Sequence, residues 1–339
     1  MSGARRRLNN LTFGMLLLSL GLSDCGGHGN PPTIQIVLTN DVASWAPIFI
    51  AQSMGYFRQE GIVVATSETA SLSKAMQALL GGSVEVAAGS ISQAMEVAAE
   101  GQRVRCFLSL YTRPAVALAV APALRQSIRS IRDLKGRPVG VATPGSSMHL
   151  TLNYLLTSNG LSSNDVSIIS IGTAGNSLAA LEHGKVHAAM LVGNAVSAFE
   201  KRHPDQKFLA DIRTAEGARG AFGSETFPNT ALVARENWLR THADTTRRFV
   251  RAVKKAMLWL GTHPAEQVRE MVPPEMRGTD IEADLEAIRQ GQNTLSPDGM
   301  VPARGAELIA KCIVLSNERV RKAGVDLSKV YTNEFAGSQ

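Results

Sequence analysis

GVATPGSSMHLTLNYLLTSNGL, residues 140 to 161, decides how this chain folds. A short apolar run stops at Pro144-Gly145-Ser146-Ser147, and a helix with apolar faces begins at once, from Met148 to Ser158, closing on Asn159-Gly160. Strand, glycine turn and capped helix in direct succession is the βα unit of a parallel sheet. In such sheets ligands gather beyond the carboxyl ends of the strands. The same stretch poses a functional question: whether Ser146, Ser147 or His149 reacts with a guest or only holds it.

Outward from there the alternation continues. Thr33 to Thr39 reads as a strand, Ala46 to Gln59 as a helix ended by Gly61, and Ile62 to Glu68 as a second strand. A helix from Ser73 to Leu80 follows. Strands Val84 to Ala88 and Val104 to Tyr111 flank a helix from Ile91 to Glu100. Val166 to Ile171 is a further strand, and beyond Thr230 the pattern turns mostly helical, with Phe249, Val253, Met257 and Leu260 at core-facing helical spacing. Strand and helix in alternation predicts an α/β fold with mainly parallel sheets.

The chain also repeats itself. Ala78-Leu79-Leu80-Gly81-Gly82-Ser83-Val84-Glu85-Val86-Ala87 aligns with Ala180-Leu181-Glu182-His183-Gly184-Lys185-Val186-His187-Ala188-Ala189. Each reads as a helix end, a glycine cap and an entering strand. With 339 residues, more than one core usually holds, the repeat predicts two lobes on one plan. The first lobe takes residues 33–114 and 228–339, the second 115–227. The two crossings, at Arg113-Pro114 and Phe227-Pro228-Asn229, leave a cleft between the lobes.

Composition limits the partners. Apolar residues make up 44% and charged residues 19%, as in a soluble globular protein. Arg5, Arg6 and Arg7 precede the apolar run Leu11 to Leu22, which is too short to span a bilayer and reads as an export signal over residues 1–24. Cys25 follows directly, with a loose Gly/Pro tether over 25–32, in the manner of a bacterial lipoprotein acylated at Cys25. Asp24 departs from that motif, and ordinary cleavage after Ser23 is the competing reading. Either way the mature chain works outside the cytoplasm, in the periplasm or at the cell surface, touching membrane only through a lipid anchor. The formal charge of +6 includes three arginines and one aspartate of the signal, so the mature chain carries +4 without a basic cluster. That argues against nucleic acid as a partner.

Catalytic readings gain little. Ser147 and His149 lie two apart at a helix start, so their side chains diverge, and no Gly-x-Ser-x-Gly elbow or Gly-Lys-Ser/Thr phosphate loop occurs. His183 and His187 have metal-ligand spacing, but Gly184 between them ends the helix. Cys106 and Cys312 are widely separated, and whether they pair is open. Neither a cofactor nor a metal is expected. What recurs at the strand-to-helix junctions is serine, glycine, threonine and asparagine. Such residues cap helices, and several free helix N-termini meeting at one cleft would grip an anion or a polar amide. Trp45 and Tyr111 are candidate flat walls.

One segment resembles a known family. Trp45-Ala46-Pro47-Ile48-Phe49-Ile50-Ala51-Gln52-Ser53-Met54-Gly55-Tyr56-Phe57-Arg58-Gln59-Glu60-Gly61-Ile62 is similar to the opening of substrate-binding proteins of nitrate, sulfonate, taurine and thiamine-precursor ABC importers. Ile131-Arg132-Asp133-Leu134-Lys135-Gly136-Arg137-Pro138-Val139-Gly140 supports it, as does Leu181-Glu182-His183-Gly184-Lys185-Val186-His187-Ala188. The resemblance implies the type II periplasmic binding fold, two Rossmann-like lobes joined by a two-strand hinge. It implies a monomer that captures a small solute by lobe closure and delivers it to an ABC permease driven by its ATPase. The implied ligand residues are Ser44, Trp45, Ser71, Ser73 and Ser90 from one lobe, Ser146, Ser147 and Asn194 from the other, with Tyr111 and Asn229 near the hinge. A solute sensor for a membrane regulator is the alternative. A third reading, an enzyme building the thiamine pyrimidine at a cysteine-rich iron site, finds no cysteine cluster here.

Overall fold

The computed structural model describes residues 31–337 apart from positions 40, 41, 70, 173, 275, 276, 278 and 279. The expected export signal and Cys25 lie outside the described residues, as does Asp41. The strands are β1 (Thr33–Thr39), β2 (Val63–Thr69), β3 (Val86–Gly89), β4 (Val104–Ser109), β5 (Val116–Val120), β6 (Pro138–Val141), β7 (Ser167–Ser170), β8 (Ala188–Val192), β9 (Ala210–Asp211) and β10 (Ala231–Arg235). The helices among them are α1 (Val42–Ser53), α2 (Tyr56–Gln59), α3 (Leu72–Gly81), α4 (Ile91–Ala99), α5 (Ser147–Ser158), α6 (Ala174–Glu182), α7 (Asn194–Arg202) and α8 (Ala215–Phe222). After β10 come α9 (Glu236–Thr241), α10 (Ala243–Thr262), α11 (Ala265–Met271), α12 (Ile281–Thr294), α13 (Ala303–Ser316) and α14 (Glu318–Ala323).

Two five-stranded sheets form, ordered β2-β1-β3-β10-β4 and β7-β6-β8-β5-β9. The repeat read from sequence is now architectural. Its two copies are the α3-to-β3 and α6-to-β8 turns, and β3 and β8 hold the same place beside β1 and β6. In each sheet that strand then pairs antiparallel with the strand at a crossing, β10 or β5. The sheets are therefore mixed rather than wholly parallel, because the chain enters and leaves each half through a reversed strand.

That reversal decides where the site lies. β4 runs with β3, so Ser109 and Gly89 both stand opposite Ala231 along one edge of the first sheet. β5 begins at Val116 opposite Val192, the carboxyl end of β8. Only residues 110–115 separate the two edges, a reach of at most about 25 Å from Ser109 to Val116. The carboxyl ends of both sets of parallel strands therefore face one another. The return crossing runs alongside: the Phe227 N–H donates to the Thr112 carbonyl at 2.7 Å and the Leu110 N–H to the Thr230 carbonyl at 3.1 Å.

α13 packs against both α4 and α5, so it belongs to the walls of both halves. It comes close to the return crossing because Gly305 has no side chain; a Cβ there would sit 2.5 Å from Pro228 Cδ. One buried cluster accordingly runs from Val37 and Leu79 through Ile309 and Cys312 to Leu118 and Leu155. The α10 stripe Phe249, Val253, Met257 and Leu260 is buried in a second cluster, with Phe249 stacked on Phe57 at 5.3 Å. Burying such a set contributes on the order of 1.5–3 kcal/mol per large side chain. The predicted single helix from Ala46 to Gln59 is instead α1 and α2, divided at Gly55, whose φ of 68° only glycine adopts without strain. No described helix is long and apolar enough to cross a membrane.

Candidate functional site

Six strand-to-helix junctions stand on the two facing edges. β1, β2 and β3 lead into α1, α3 and α4, while β6, β7 and β8 lead into α5, α6 and α7. A helix start leaves up to four N–H groups without intrahelical partners and carries partial positive charge. α3, α4 and α5 each carry a serine cap, Ser71, Ser90 and Ser146, whose hydroxyl accepts from the third helical N–H.

At α4 the cap is buried and internally satisfied. Ser90 is 3% exposed, and its hydroxyl accepts from the Gln93 N–H at 3.2 Å while lying 3.1 Å from the Ser92 hydroxyl. Asn229, reaching from the return crossing, accepts the Ser92 N–H at 3.2 Å and donates its amide to Ser92 Oγ at 3.2 Å. The expected residues Ser90 and Asn229 thus come together, but Asn229 spends its side chain on the helix start. Ser92, unremarkable in sequence, is the group that joins them.

At α5 the cap is shallower. Ser146 accepts from the His149 N–H at 3.3 Å, and Ser147 is exposed. Gly145, at a φ of 83°, donates its N–H to His149 Nδ1 at 2.8 Å. That bond leaves the imidazole proton on Nε2, a donor that is buried without a protein partner. Burial also lowers the His149 pKa from its ordinary value, so the ring is neutral at pH 7. His149 therefore shapes the glycine turn; it is not paired with Ser147. One turn on, the buried Asn153 Oδ1 likewise lacks a protein partner.

The remaining expected residues divide. Ser71 caps α3, accepting from the Lys74 N–H at 3.3 Å, and Ser73 is exposed on the same first turn. Ser44 is partly buried in the first turn of α1. Trp45 departs from its expected role as a wall: it is 2% exposed in the core, and its indole N–H donates to Thr39 Oγ1 at 2.8 Å. Tyr111 is 6% exposed, bridges to Leu295, and packs against the space over Gly291. Both aromatic rings are buried. Asn194 opens α7 behind Gly193, and the Gly193 carbonyl accepts from Gln290 Nε2 on α12 at 3.1 Å.

Gln290 and its neighbour Glu286 were not legible as site residues. Gln290 Nε2 also donates to Ser197 Oγ at 2.9 Å, and Ser197 donates to Glu286 Oε1 at 2.6 Å. α12 thereby ties the first half to the start of α7. Arg113 was missed as well. At the first crossing it donates to the Arg213 carbonyl at 3.0 Å and the Asn293 carbonyl at 3.2 Å, so it too joins the halves. Burial lowers its pKa against the attraction of Glu225. The signal was present only as an arginine before Pro114 at a lobe crossing.

Groups that could react are set elsewhere. Cys106 and Cys312 are free and buried, and burial pushes the Cys106 thiol up to about 12 and the Cys312 thiol higher still. Thiols in that state are poor nucleophiles and poor ligands. No cluster of three or more His, Cys, Asp or Glu with metal-site geometry occurs among the described residues. α6 ends at Glu182, and His187 approaches Arg137 rather than His183.

Two α/β halves with facing edges and a doubled crossing define a periplasmic binding protein fold of the type found in ABC importers. The aliphatic sulphonate binding protein SsuA of Escherichia coli is a solved example. The two match with a TM-score of 0.69 and 19% identity over 89% of this chain and 93% of that one. The chain belongs to the NMT1/THI5-like family, whose model matches residues 43–267. YtlA of Bacillus subtilis (strain 168), which carries a provisional binding-protein name, is 24% identical over 322 residues, covering 92% of each chain. The 4-amino-5-hydroxymethyl-2-methylpyrimidine phosphate synthase of Schizosaccharomyces pombe is 26% identical over 233 residues, covering 67% of this chain and 64% of that enzyme.

Proposed function

We propose that this protein is the extracytoplasmic solute-binding component of an ABC importer, with residues 33–114 and 228–339 as one lobe and 115–227 as the other. It takes a small anionic or polar heterocyclic or aromatic solute between the facing edges and hands it unchanged to a membrane permease. The observation that carries this reading is the set of six helix starts on two opposed edges, three of them capped by serine hydroxyls. Ser71, Ser73, Ser146, Ser147 and the start of α7 at Asn194 are the proposed contacts, with Ser44 beside them. Ser90 and Asn229 set the α4 start in place. A ligand touching both lobes favours the shut state by the difference in its affinity for the two states, without chemistry. Export past the cytoplasmic membrane, with Cys25 as the acylated residue, completes the proposal.

A synthase on the same fold is the second reading, favoured by the name of the fungal relative. The two buried thiols and the absence of a ligating cluster among the described residues weigh against it. A thermal-shift screen of the full mature chain over sulfonates, nitrate, aromatic carboxylates and pyrimidines decides between them. Binding raises the melting temperature as the ligand exceeds its Kd. The proposal expects one class to do so and to be recovered unaltered. A flat screen, or recovery of a converted compound, contradicts it.

A further inference from the structure

One sizeable cavity lies away from the facing edges. It lies at the opposite end of the first sheet, where β4 begins and β10 ends, with a volume of about 890 Å³. Arg103, Arg105, Arg235 and Arg240 line it, against only Glu236 and Glu334. The two carboxylates are already engaged. Glu236 holds Arg105, accepting from Nε at 2.9 Å and Nη2 at 2.6 Å, and Glu334 accepts from Arg247 at 2.9 Å.

The other three arginines keep their charge. Arg235 donates to the carbonyls of Leu79 and Val84, which anchor the guanidinium without neutralising it. Arg240 donates to the Asn237 side chain at 2.8 Å, again a neutral partner. Arg103 is exposed, and its backbone is fixed by the Glu236 N–H donating to its carbonyl at 3.1 Å. None of the three lies within ion-pair distance of a carboxylate among the described residues. A smaller cavity of about 440 Å³ shares Arg103, Arg105 and Glu236 and adds Lys329, which is paired with Asp326 at 3.5 Å. Like charges gathered around a concave, rigid wall are unfavourable unless an anion offsets them, and guanidinium groups match phosphate oxygens in geometry.

We propose that this groove is a second binding site, separate from the cleft, for a phosphate-bearing anion held by Arg103, Arg235 and Arg240. The phosphate can belong to a soluble molecule or to a lipid headgroup, and the test distinguishes these. The full mature chain is titrated with inorganic pyrophosphate by calorimetry at fixed ionic strength. In parallel it is sedimented with phosphatidylglycerol/phosphatidylcholine vesicles and with phosphatidylcholine alone. The expectation is saturable binding in at least one arm, weakened at least tenfold in the Arg103→Gln, Arg240→Gln double variant and unchanged in Ser146→Ala, Ser147→Ala. Both arginines are outside the core, so the double variant should retain its circular dichroism and melting temperature. Pyrophosphate binding alone assigns a soluble ligand, and vesicle binding alone a headgroup. Absence of binding in both arms overturns the site, as does binding indifferent to the arginine pair or lost with the serine pair.

Discussion

The starts of α4 and α5, after β3 in one half and β6 in the other, are both capped by a serine, yet they are finished in opposite ways. At α4, Ser90, Ser92 and Asn229 consume one another's hydrogen-bonding capacity in a buried knot. At α5, Ser146 makes a single cap bond and Ser147 faces outward. One junction is a fitting that locks the return crossing to the first sheet. The other keeps hydroxyl and backbone donors available, where an incoming solute can use them. The same local motif, serine at a helix start, therefore serves structure in one half and, under the proposed function, recognition in the other.

The contrast is testable by removing each set. Asn229→Ala strands the Ser92 N–H in a partly buried setting, which should cost about 1–3 kcal/mol of stability. Denaturant unfolding measures it, and a loss below a few tenths would mean the knot is ornamental. Ser146→Ala with Ser147→Ala should act chiefly on binding. Stability should fall by about 1 kcal/mol for the lost cap, while affinity for the cleft solute should drop about tenfold, some 1.4 kcal/mol. Unchanged affinity would remove that junction from the site.

The smallest effect concerns His149. Burial depresses its pKa, so as pH falls the unfolded chain takes up the proton first. Its contribution to stability is thus present above the unfolded value of about 6.5 and is lost below it. His149→Gln should lessen the decline in melting temperature between pH 7 and pH 5.5. A variant that declines as steeply as the parent would place the titration elsewhere.

Much of the fold was readable because it is local. β1 spans the predicted Thr33–Thr39, α5 begins one residue before the predicted Met148 and ends at Ser158, and the paired glycine turns mark β3 and β8 as counterparts. What eluded the sequence depends on partners far along the chain. Asn229 meets Ser92 across 137 residues, and Gln290 meets Gly193 across 97. No periodicity encodes such a pairing. Trp45 misled for a related reason: an aromatic residue at a helix start can face the cleft or the core, and only the Thr39 hydroxyl beside it settles which.

Amide hydrogen exchange with and without the solute that gives the largest thermal shift tests the central claim most directly. Simultaneous gripping by both lobes predicts that the first-turn amides of α5 at residues 147 and 148 gain protection together with those of α3 at residues 72 and 73. The α4 start, already bonded, should change little. Protection confined to one half, or absent from both, would contradict a guest enclosed between them.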